Sequence, residues 1–228
     1  MLGSSFLLII SLVVLPALLA GCAHSPFNAQ SFTPSYEPTN VYREEPTLPS
    51  AVRRVAVLPL TPLNEGADMA FGIESLGPTL SAELARARQF ELVPVSRDEL
   101  RLITGRAVWS AEDKLPLDFF EKLKDKLAVD AILFSKLTSY RAYEPLAVGW
   151  RLKLVDTDEP RVLWAVDEVF DARVPEVAAA AVRHAQGHPD AGVSLQDSRS
   201  VLLSARRFGQ YTASAVVQTM PGRSVAAR

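Results

Sequence analysis

The sequence predicts a single α/β (α+β) domain, a mixed β-sheet with flanking helices, over residues 52–228 of the 228-residue chain. Segments with strand and helix periodicity follow one another in the order β-α-β-α-α-β-β-β-α-α. One strand is apolar on both faces, and a cleanly alternating hairpin follows it. Without the N-terminal apolar stretch, about 45% of the residues are apolar, which is enough for a sizeable core.

The first half of the domain is predicted to hold two strands and three helices. One helical face is formed by Leu76, Leu80, Leu84 and Ala87. Pro78 is expected in the first turn of that helix, where a missing N–H costs little. Ser96 precedes Glu99 at capping-box spacing and therefore starts a short helix. In chain order the elements are a strand at 53–60, a loop at 61–70, the helix with Pro78, a strand at 90–95, a helix from Ser96 to about Gly105, and a helix from about Pro116 to Leu127.

The second half is predicted to hold three strands and two helices. Trp150 and its apolar neighbours alternate with charged residues, so Trp150 is expected to face inward. Trp164 on the returning strand is expected to face the same core. The elements are strands at 129–138, 148–155 and 161–170, a turn at 156–160, a helix at 175–186, a loop at 187–197, a helix at 198–220 and a frayed tail at 221–228.

The N-terminus, residues 1–21, is predicted to be a lipoprotein signal peptide. Residues 6–20 are apolar except for one serine, and they are too short for a permanent membrane anchor. Leu19-Ala20-Gly21-Cys22 resembles a bacterial lipobox, with cleavage between Gly21 and Cys22. The single cysteine of the chain, Cys22, would carry a diacylglycerol and an N-acyl chain such as palmitate, which hold a protein firmly on a bilayer. A free cysteine beside an ordinary cleavage site is the alternative.

Ala23 stands where an aspartate would retain enterobacterial lipoproteins in the inner membrane. This resembles an outer-membrane sorting signal, and we expect the protein to be lipid-anchored in the inner leaflet of the outer membrane, facing the periplasm. Residues 22–51 are predicted to be the lipidated cysteine and a disordered tether, because residues 23–51 hold five prolines and no apolar period. The alternative is a strap packed on the domain through Phe27, Phe32, Tyr36 and Tyr42.

Several hydrophobic motifs resemble a known family of envelope proteins. They are RVAVLPL at 54–60, FELVPVSR at 90–97, VDAILF at 129–134 and the hairpin LKLVD at 152–156 with VLW at 162–164. In this order they resemble the bacterial periplasmic lipoproteins related to the curli secretion channel, the Pel export lipoprotein, the penicillin-binding-protein activator and the amino-terminal domain of TolB. The resemblance covers about residues 52–171. It implies a small domain without enzymatic activity, which acts by assembly.

No catalytic motif or cofactor-binding motif is found, and a net charge of −2 argues against nucleic acid as a partner. His184 and His188 could form a metal pair, but no third ligand is apparent. The remaining candidate sites could each be an ordinary solvated or packed feature instead. The charged ones are an acid pair at Glu44-Glu45, a weak cation site in the turn with Asp156, Asp158 and Glu159, and a basic patch for an acidic partner at Arg199, Arg206 and Arg207. The aromatic ones are a sugar platform formed by Trp109, Trp150 and Trp164, for which core packing is the favoured alternative, and a recognition edge at Tyr140, Tyr143 and Pro145.

These observations predict a non-enzymatic outer-membrane lipoprotein that serves as scaffold or accessory subunit of an envelope assembly or export system. Its partner would be a periplasmic protein or a second copy of the chain. A ring-forming subunit of a polysaccharide or protein export apparatus is the alternative. A pore of extra β-hairpins, which the resemblance to the curli channel implies, has no room in the loop at 139–146. A lipid-anchored cell-wall enzyme is less favoured, because no catalytic constellation is present.

Overall fold

A seven-stranded mixed sheet with helices on both faces forms the centre of the computed structural model, which describes residues 36–187 and 195–223. The strands are β1 (Val41–Arg43), β2 (Thr47–Leu48), β3 (Arg54–Val57), β4 (Thr61–Pro62), β5 (Glu91–Pro94), β6 (Ala131–Arg141), β7 (Ala147–Asp156), β8 (Val162–Asp171) and β9 (Gly222–Arg223). The helices are α1 (Ala67–Ala87), α2 (Arg97–Thr104), α3 (Phe119–Leu127), α4 (Pro175–Gly187) and α5 (Ala205–Gln218), with a 3₁₀-helix at Leu195–Leu203. The predicted α+β class is confirmed.

The sheet has the order β1-β8-β7-β6-β3-β5, and β4 pairs with β6. β3, β5 and β6 are parallel, whereas β6, β7, β8 and β1 pair antiparallel in succession. The C-terminal ends of β6 and β8 therefore lie at the same end of the sheet, together with the loop that connects β6 to β7. The turn between β7 and β8 lies at the opposite end.

Two apolar cores lie on the two faces of the sheet. Helices α1, α4 and α5 cover one face, and α2 and α3 cover part of the other. The middle of β6 is buried on both sides, since Ile132 contributes to one core and Leu133 to the other. The cap predicted for α2 is present: Ser96 Oγ accepts the backbone N–H of Glu99 at 3.1 Å.

Both hairpin tryptophans face inward, as predicted, and both are fully buried in the core that also contains α5. The Trp150 indole N–H donates to Thr212 Oγ1 at 2.9 Å, and the Trp164 indole N–H donates to Thr219 Oγ1 at 3.1 Å. Both threonines belong to the α5 region, seven residues apart and thus close to the same helical face. The sheet and α5 are therefore joined by two buried polar contacts as well as by apolar packing.

The predicted start of the first helix is wrong, because α1 begins at Ala67 and Pro78 lies inside it. Met69 and Leu76 precede the proline on the same buried face that Leu80 and Leu84 continue after it. A proline inside a helix costs about 3 kcal/mol. Burial of each large apolar side chain contributes about 1.5–3 kcal/mol, so the two before the proline together equal or exceed its cost.

The boundary at residue 52 is wrong for residues 36–51, which belong to the folded domain. β1 pairs antiparallel with β8, and Leu48 is buried in the larger core. Glu168 on β8 accepts hydrogen bonds from the Tyr36 hydroxyl at 2.8 Å and from the Thr39 N–H at 2.8 Å. Residues 36–51 therefore form a docked strap, the alternative to a disordered tether. Of the four aromatics proposed for it, Tyr36 packs against Phe170 and Tyr42 is exposed, whereas Phe27 and Phe32 lie outside the described residues.

The C-terminal helix also starts later than predicted. Residues 195–203 form the 3₁₀-helix, and α5 begins after Ser204, whose hydroxyl accepts the backbone N–H of Arg207. The predicted frayed tail is wrong at its first residues, because β9 pairs in parallel with β2 of the strap. The strap therefore contacts both the hairpin and the C-terminal segment.

None of the helices among the described residues has both the length and the apolar character needed to cross a membrane.

Candidate partner-binding surface

Three connecting segments meet at the end of the sheet where β6 and β8 finish. The first, residues 63–71, connects β4 to α1 and includes the start of α1. The second, residues 140–146, joins β6 to β7, and the third, residues 171–176, joins β8 to α4. The Leu63 N–H donates to the Leu137 carbonyl at 2.9 Å, and the Ala172 N–H donates to the Leu146 carbonyl at 2.9 Å. We call these three segments together the end surface.

Large apolar side chains of the end surface are exposed to solvent. Tyr143 is 82% exposed, Phe71 is 59% exposed and Leu63 is 50% exposed. Val174 is exposed at the β8–α4 connection. Exposed apolar residues that stand singly are common on protein surfaces, but residues gathered from three segments of one end are typical of a binding site.

Helix α1 approaches strand β6 closely at the end surface, which places Phe71 beside Tyr140. A Cβ atom added to Gly72 would lie 2.7 Å from Leu137 Cδ2 and 2.7 Å from Tyr140 Cγ, so only glycine allows this approach. The rings of Phe71 and Tyr140 are 6.2 Å apart, and Tyr140 is itself buried. Burial raises the pKa of the Tyr140 hydroxyl, and the nearby Asp68 carboxylate adds to the shift. The buried ring of Tyr140 thus supports the exposed ring of Phe71 from the protein side.

The charged side chains of the end surface are mostly acidic. Both of its guanidinium groups, those of Arg141 and Arg173, pair with Asp171 at 3.1 Å and 2.6 Å. The hydrogen bonds from Arg173 lower the pKa of the Asp171 carboxyl to about 2, and Arg141 contributes further. The remaining charged residues of the three segments are exposed carboxylates without an ion-pair partner among the described residues, namely Glu65, Asp68, Glu144 and Glu176.

The recognition edge predicted from the sequence is divided by the structure. Tyr143 and Pro145 are exposed, whereas Tyr140 is buried. Leu63 and Phe71 were missed, because the prediction placed residues 61–70 in a loop and began the helix too late. An aromatic residue next to the buried Gly72 and off the leucine face of α1 is the signal that could have identified Phe71.

The tryptophans are packing residues, which was the favoured alternative. Trp109 is buried in the smaller core, and its indole N–H donates to Thr104 Oγ1 at 2.8 Å. The guanidinium of Arg106 lies 4.2 Å from the centre of the Trp109 ring. No tryptophan among the described residues is therefore exposed as a platform for a ligand.

The predicted basic patch is not a single surface. Arg206 lines a groove of about 450 Å³ between α1 and α5, together with Arg86 and the buried Glu83. Arg207 points toward the 3₁₀-helix, where it donates to Ser200 Oγ at 2.5 Å. Arg199 is exposed on that 3₁₀-helix. Arg206 thus faces a different part of the domain from Arg199 and Arg207, which both lie at the 3₁₀-helix.

No group of three potential metal ligands occurs within residues 36–187 and 195–223. His188 lies outside the described residues, so the predicted pair with His184 is not placed. In the acidic turn, Asp156 Oδ1 accepts the Asp158 N–H at 2.8 Å, and Asp158 pairs with Lys124. Glu44 pairs with Arg161 at 2.9 Å. These acids are engaged in local contacts.

The predicted cleavage and lipidation residues, Gly21 and Cys22, lie outside the described residues.

A second charged cluster lies on the part of the sheet that α2 and α3 leave uncovered. Arg151 on β7 pairs with Asp167 on β8 at 2.7 Å and lies 3.6 Å from Glu112. Glu112 also contacts Lys136 and Ser110. Burial works against ionisation of Glu112, but the hydrogen bonds from Lys136 and Ser110 lower its pKa to about 2. This cluster is internally paired and stabilises the sheet face.

No family model matches the sequence, and no curated protein matches it. The fold is similar to a PelC dodecamer structure from Paraburkholderia phytofirmans, at 12% identity and a TM-score of 0.42 over 80% of this chain and 98% of that chain. It is similar to lipoprotein GNA1162 from Neisseria meningitidis, at 17% identity and a TM-score of 0.41 over 60% and 99% of the two chains. It is also similar to the LpoB C-terminal domain from Salmonella enterica, at 16% identity and a TM-score of 0.34 over 52% and 82%.

PelC and LpoB, two members of the group that the sequence motifs resemble, are thus among the similar solved structures. The resemblance to the curli secretion channel stays a prediction. The similarity concerns the fold alone. The assemblies and partners of those proteins are not transferred to this chain.

Proposed function

We propose that this protein is a non-enzymatic, lipid-anchored accessory protein of the cell envelope, which binds a periplasmic protein partner through the end surface. The observation that carries the proposal is the exposure of Phe71, Tyr143 and Leu63 together at one end of the sheet. Aromatic residues contribute much of the binding energy of protein interfaces when a partner excludes water from them. The described residues offer this exposed apolar surface, and binding is therefore the proposed activity.

The lipid anchor at Cys22 is the second part of the proposal. Thirteen residues lie between the proposed lipidated Cys22 and Tyr36, the first described residue of the strap. A chain of that length spans at most about 45 Å, which is half the reach of a tether that would extend to residue 51. The folded domain is thus expected to stay close to the membrane that holds it.

Acyl labelling tests the anchor. Cys22→Ser should abolish incorporation of labelled palmitate and leave the signal peptide attached, because the thiol is the proposed site of acylation. Ser50→Cys adds a thiol outside the lipobox and should not gain label, so it is the control. Palmitate that remains on the Cys22→Ser protein would contradict the anchor without affecting the end surface.

Site-specific photo-cross-linking in the living cell tests the binding surface. A photoreactive phenylalanine analogue in place of Tyr143 or Phe71 should give a discrete adduct with an envelope protein. The same analogue in place of Leu102, which is 87% exposed on α2, should give only background and is the matched control. An adduct at twice the mass of the chain would instead favour a homo-oligomer, and equal adducts at all three positions would contradict the proposed site.

A further inference from the structure

We propose that the end surface selects a positively charged, apolar segment of its protein partner. This inference rests on the proposed function, because it names the chemistry of the partner that the same surface would bind. Its basis is the charge distribution around the exposed apolar residues.

The end surface carries more negative charge than the chain as a whole. Its three segments contain five carboxylates and two guanidinium groups, whereas the entire chain has a net charge of −2. Both guanidinium groups are bound to Asp171, which leaves Glu65, Asp68, Glu144 and Glu176 without cationic partners among the described residues. The surface therefore has a surplus of three negative charges, and these four unpaired carboxylates are all exposed.

The carboxylates lie in the same short segments as the apolar residues. Glu65 follows Leu63 by two positions, and Glu144 is adjacent to Tyr143. Asp68 is close enough to Tyr140 to influence its pKa, and Phe71 contacts the same ring. A partner that covers Phe71 and Tyr143 therefore also meets neighbouring carboxylates, among them Asp68 and Glu144.

A basic partner satisfies these acids, and an acidic or neutral one does not. Carboxylates that lose water without gaining a cation raise the free energy of the complex, and like charges opposed across an interface cost several kcal/mol. The aliphatic stems of lysine and arginine can lie on Phe71 while their cationic ends reach Glu144 or Asp68. The exposed ring of Tyr143 adds a cation–π site for the same side chains.

A bilayer surface is the other macromolecular candidate, and the charge argues against it. Anionic headgroups attract clusters of basic residues, and the two arginines of the end surface are already paired with Asp171. The acids would be repelled by such headgroups. A protein segment with interspersed basic and apolar residues is the favoured occupant.

Two probe peptides test the inference on the full lipidated chain held in a phosphatidylcholine nanodisc. Each has twelve residues with the same apolar half, leucine and tryptophan, and the charged half is all lysine in one peptide and all glutamate in the other. Fluorescence anisotropy at about 0.15 M salt gives both dissociation constants. We expect the lysine peptide to bind at least 10-fold more tightly, and the difference to shrink at 1 M salt, where charges are screened.

The variants assign that preference to the end surface. Glu65→Gln combined with Glu144→Gln should weaken lysine-peptide binding about 5-fold to 10-fold. Asp125→Asn combined with Glu159→Gln removes two exposed carboxylates at the opposite end of the sheet and should change it less than 2-fold. Phe71→Ser should weaken binding of the lysine peptide, because the apolar contact is lost.

Equal binding of the two peptides, or no binding of either, would overturn the inference and leave the cross-linking test of the end surface standing. Lysine-peptide binding that is unaffected by Phe71→Ser and by the Glu65/Glu144 pair would overturn it as well, since the peptide would then bind elsewhere. Phosphatidylglycerol vesicles that capture the nanodisc-held protein with the same dependence on Phe71 would assign the surface to a bilayer and overturn it too.

Discussion

Replacement of Thr212 by valine tests the contact between the hairpin and α5 without changing the volume of the core. Thr212 and Trp150 are both fully buried. The Thr212 hydroxyl donates its own proton to the Gly209 carbonyl at 3.0 Å, so its lone pairs are available for the Trp150 indole N–H at 2.9 Å. Thr212→Val leaves that N–H buried without an acceptor.

The expected loss follows from the environment of the two groups. A buried donor that loses its acceptor costs about 1–3 kcal/mol, whereas removal of both partners costs less than the sum of the single losses. We therefore expect Thr212→Val to lower the free energy of unfolding by about 1–3 kcal/mol. Trp150→Phe adds a cavity, and Trp150→Ala should cost about 3–5 kcal/mol. The cycle of Thr212→Val and Trp150→Phe should give a coupling of at least about 0.5 kcal/mol.

Urea denaturation of the lipid-free mature chain, followed by far-ultraviolet circular dichroism, measures these losses independently of tryptophan fluorescence. Thr79→Val is the control, because Thr79 is half-buried on α1 and its hydroxyl bonds only to its own helix at 3.5 Å. That variant should change stability by less than about 0.5 kcal/mol. A loss for Thr212→Val no larger than that of the control, or zero coupling in the cycle, would refute the proposed hydrogen bond.

Four further outcomes are expected. Leu48→Ala should cost about 2–5 kcal/mol in urea denaturation, since Leu48 is buried in the larger core, and no effect would mean that the strap is not part of the domain. Glu168→Gln should speed hydrogen exchange at the amides of residues 39 and 40, whose N–H groups donate to its carboxylate, and unchanged rates would contradict strap docking. The pKa of Glu112 is about 2 in the folded protein and 4.5 for an unperturbed glutamate, so its contribution to stability is present above about pH 4.5 and lost as the pH falls toward 2. Glu112→Gln should therefore flatten the acid branch of the stability profile, and an unchanged branch would refute this assignment. Gly72→Val should lower the melting temperature and move α1 away from β6, whereas an unchanged melting temperature would contradict the close approach.

Local patterns in the sequence predicted the elements that local physics determines. The alternation around Trp150 predicted the hairpin and its inward face, because period-2 burial is a property of the strand itself. Ser96 predicted the start of α2, because its hydroxyl satisfies an N–H only three residues away. These features need no knowledge of distant parts of the chain.

Long-range contacts determine the features that the sequence did not predict. The strands of the strap have three and two residues, too few to show a period, and they form because β8 and β9 offer edges to pair with. Pro78 suggested a helix start, but packing of the preceding turns against the core outweighs its local cost. The end surface joins segments that are about 25 to 100 positions apart in sequence, so only Tyr143 and Pro145 could be proposed from the sequence.

The affinity of the cross-linked envelope partner for variants of the end surface tests the central claim most directly. The partner identified by cross-linking at Tyr143 is purified, and its dissociation constant for the full chain is measured by titration. Phe71→Ser combined with Tyr143→Ser should weaken binding at least about 100-fold, since two aromatic anchors of an interface are removed. Leu102→Ser combined with Leu117→Ser removes two highly exposed leucines outside the end surface and should change the affinity less than about 2-fold. Equal losses for the two pairs, or an unchanged affinity for the Phe71 and Tyr143 pair, would contradict a binding function for the end surface.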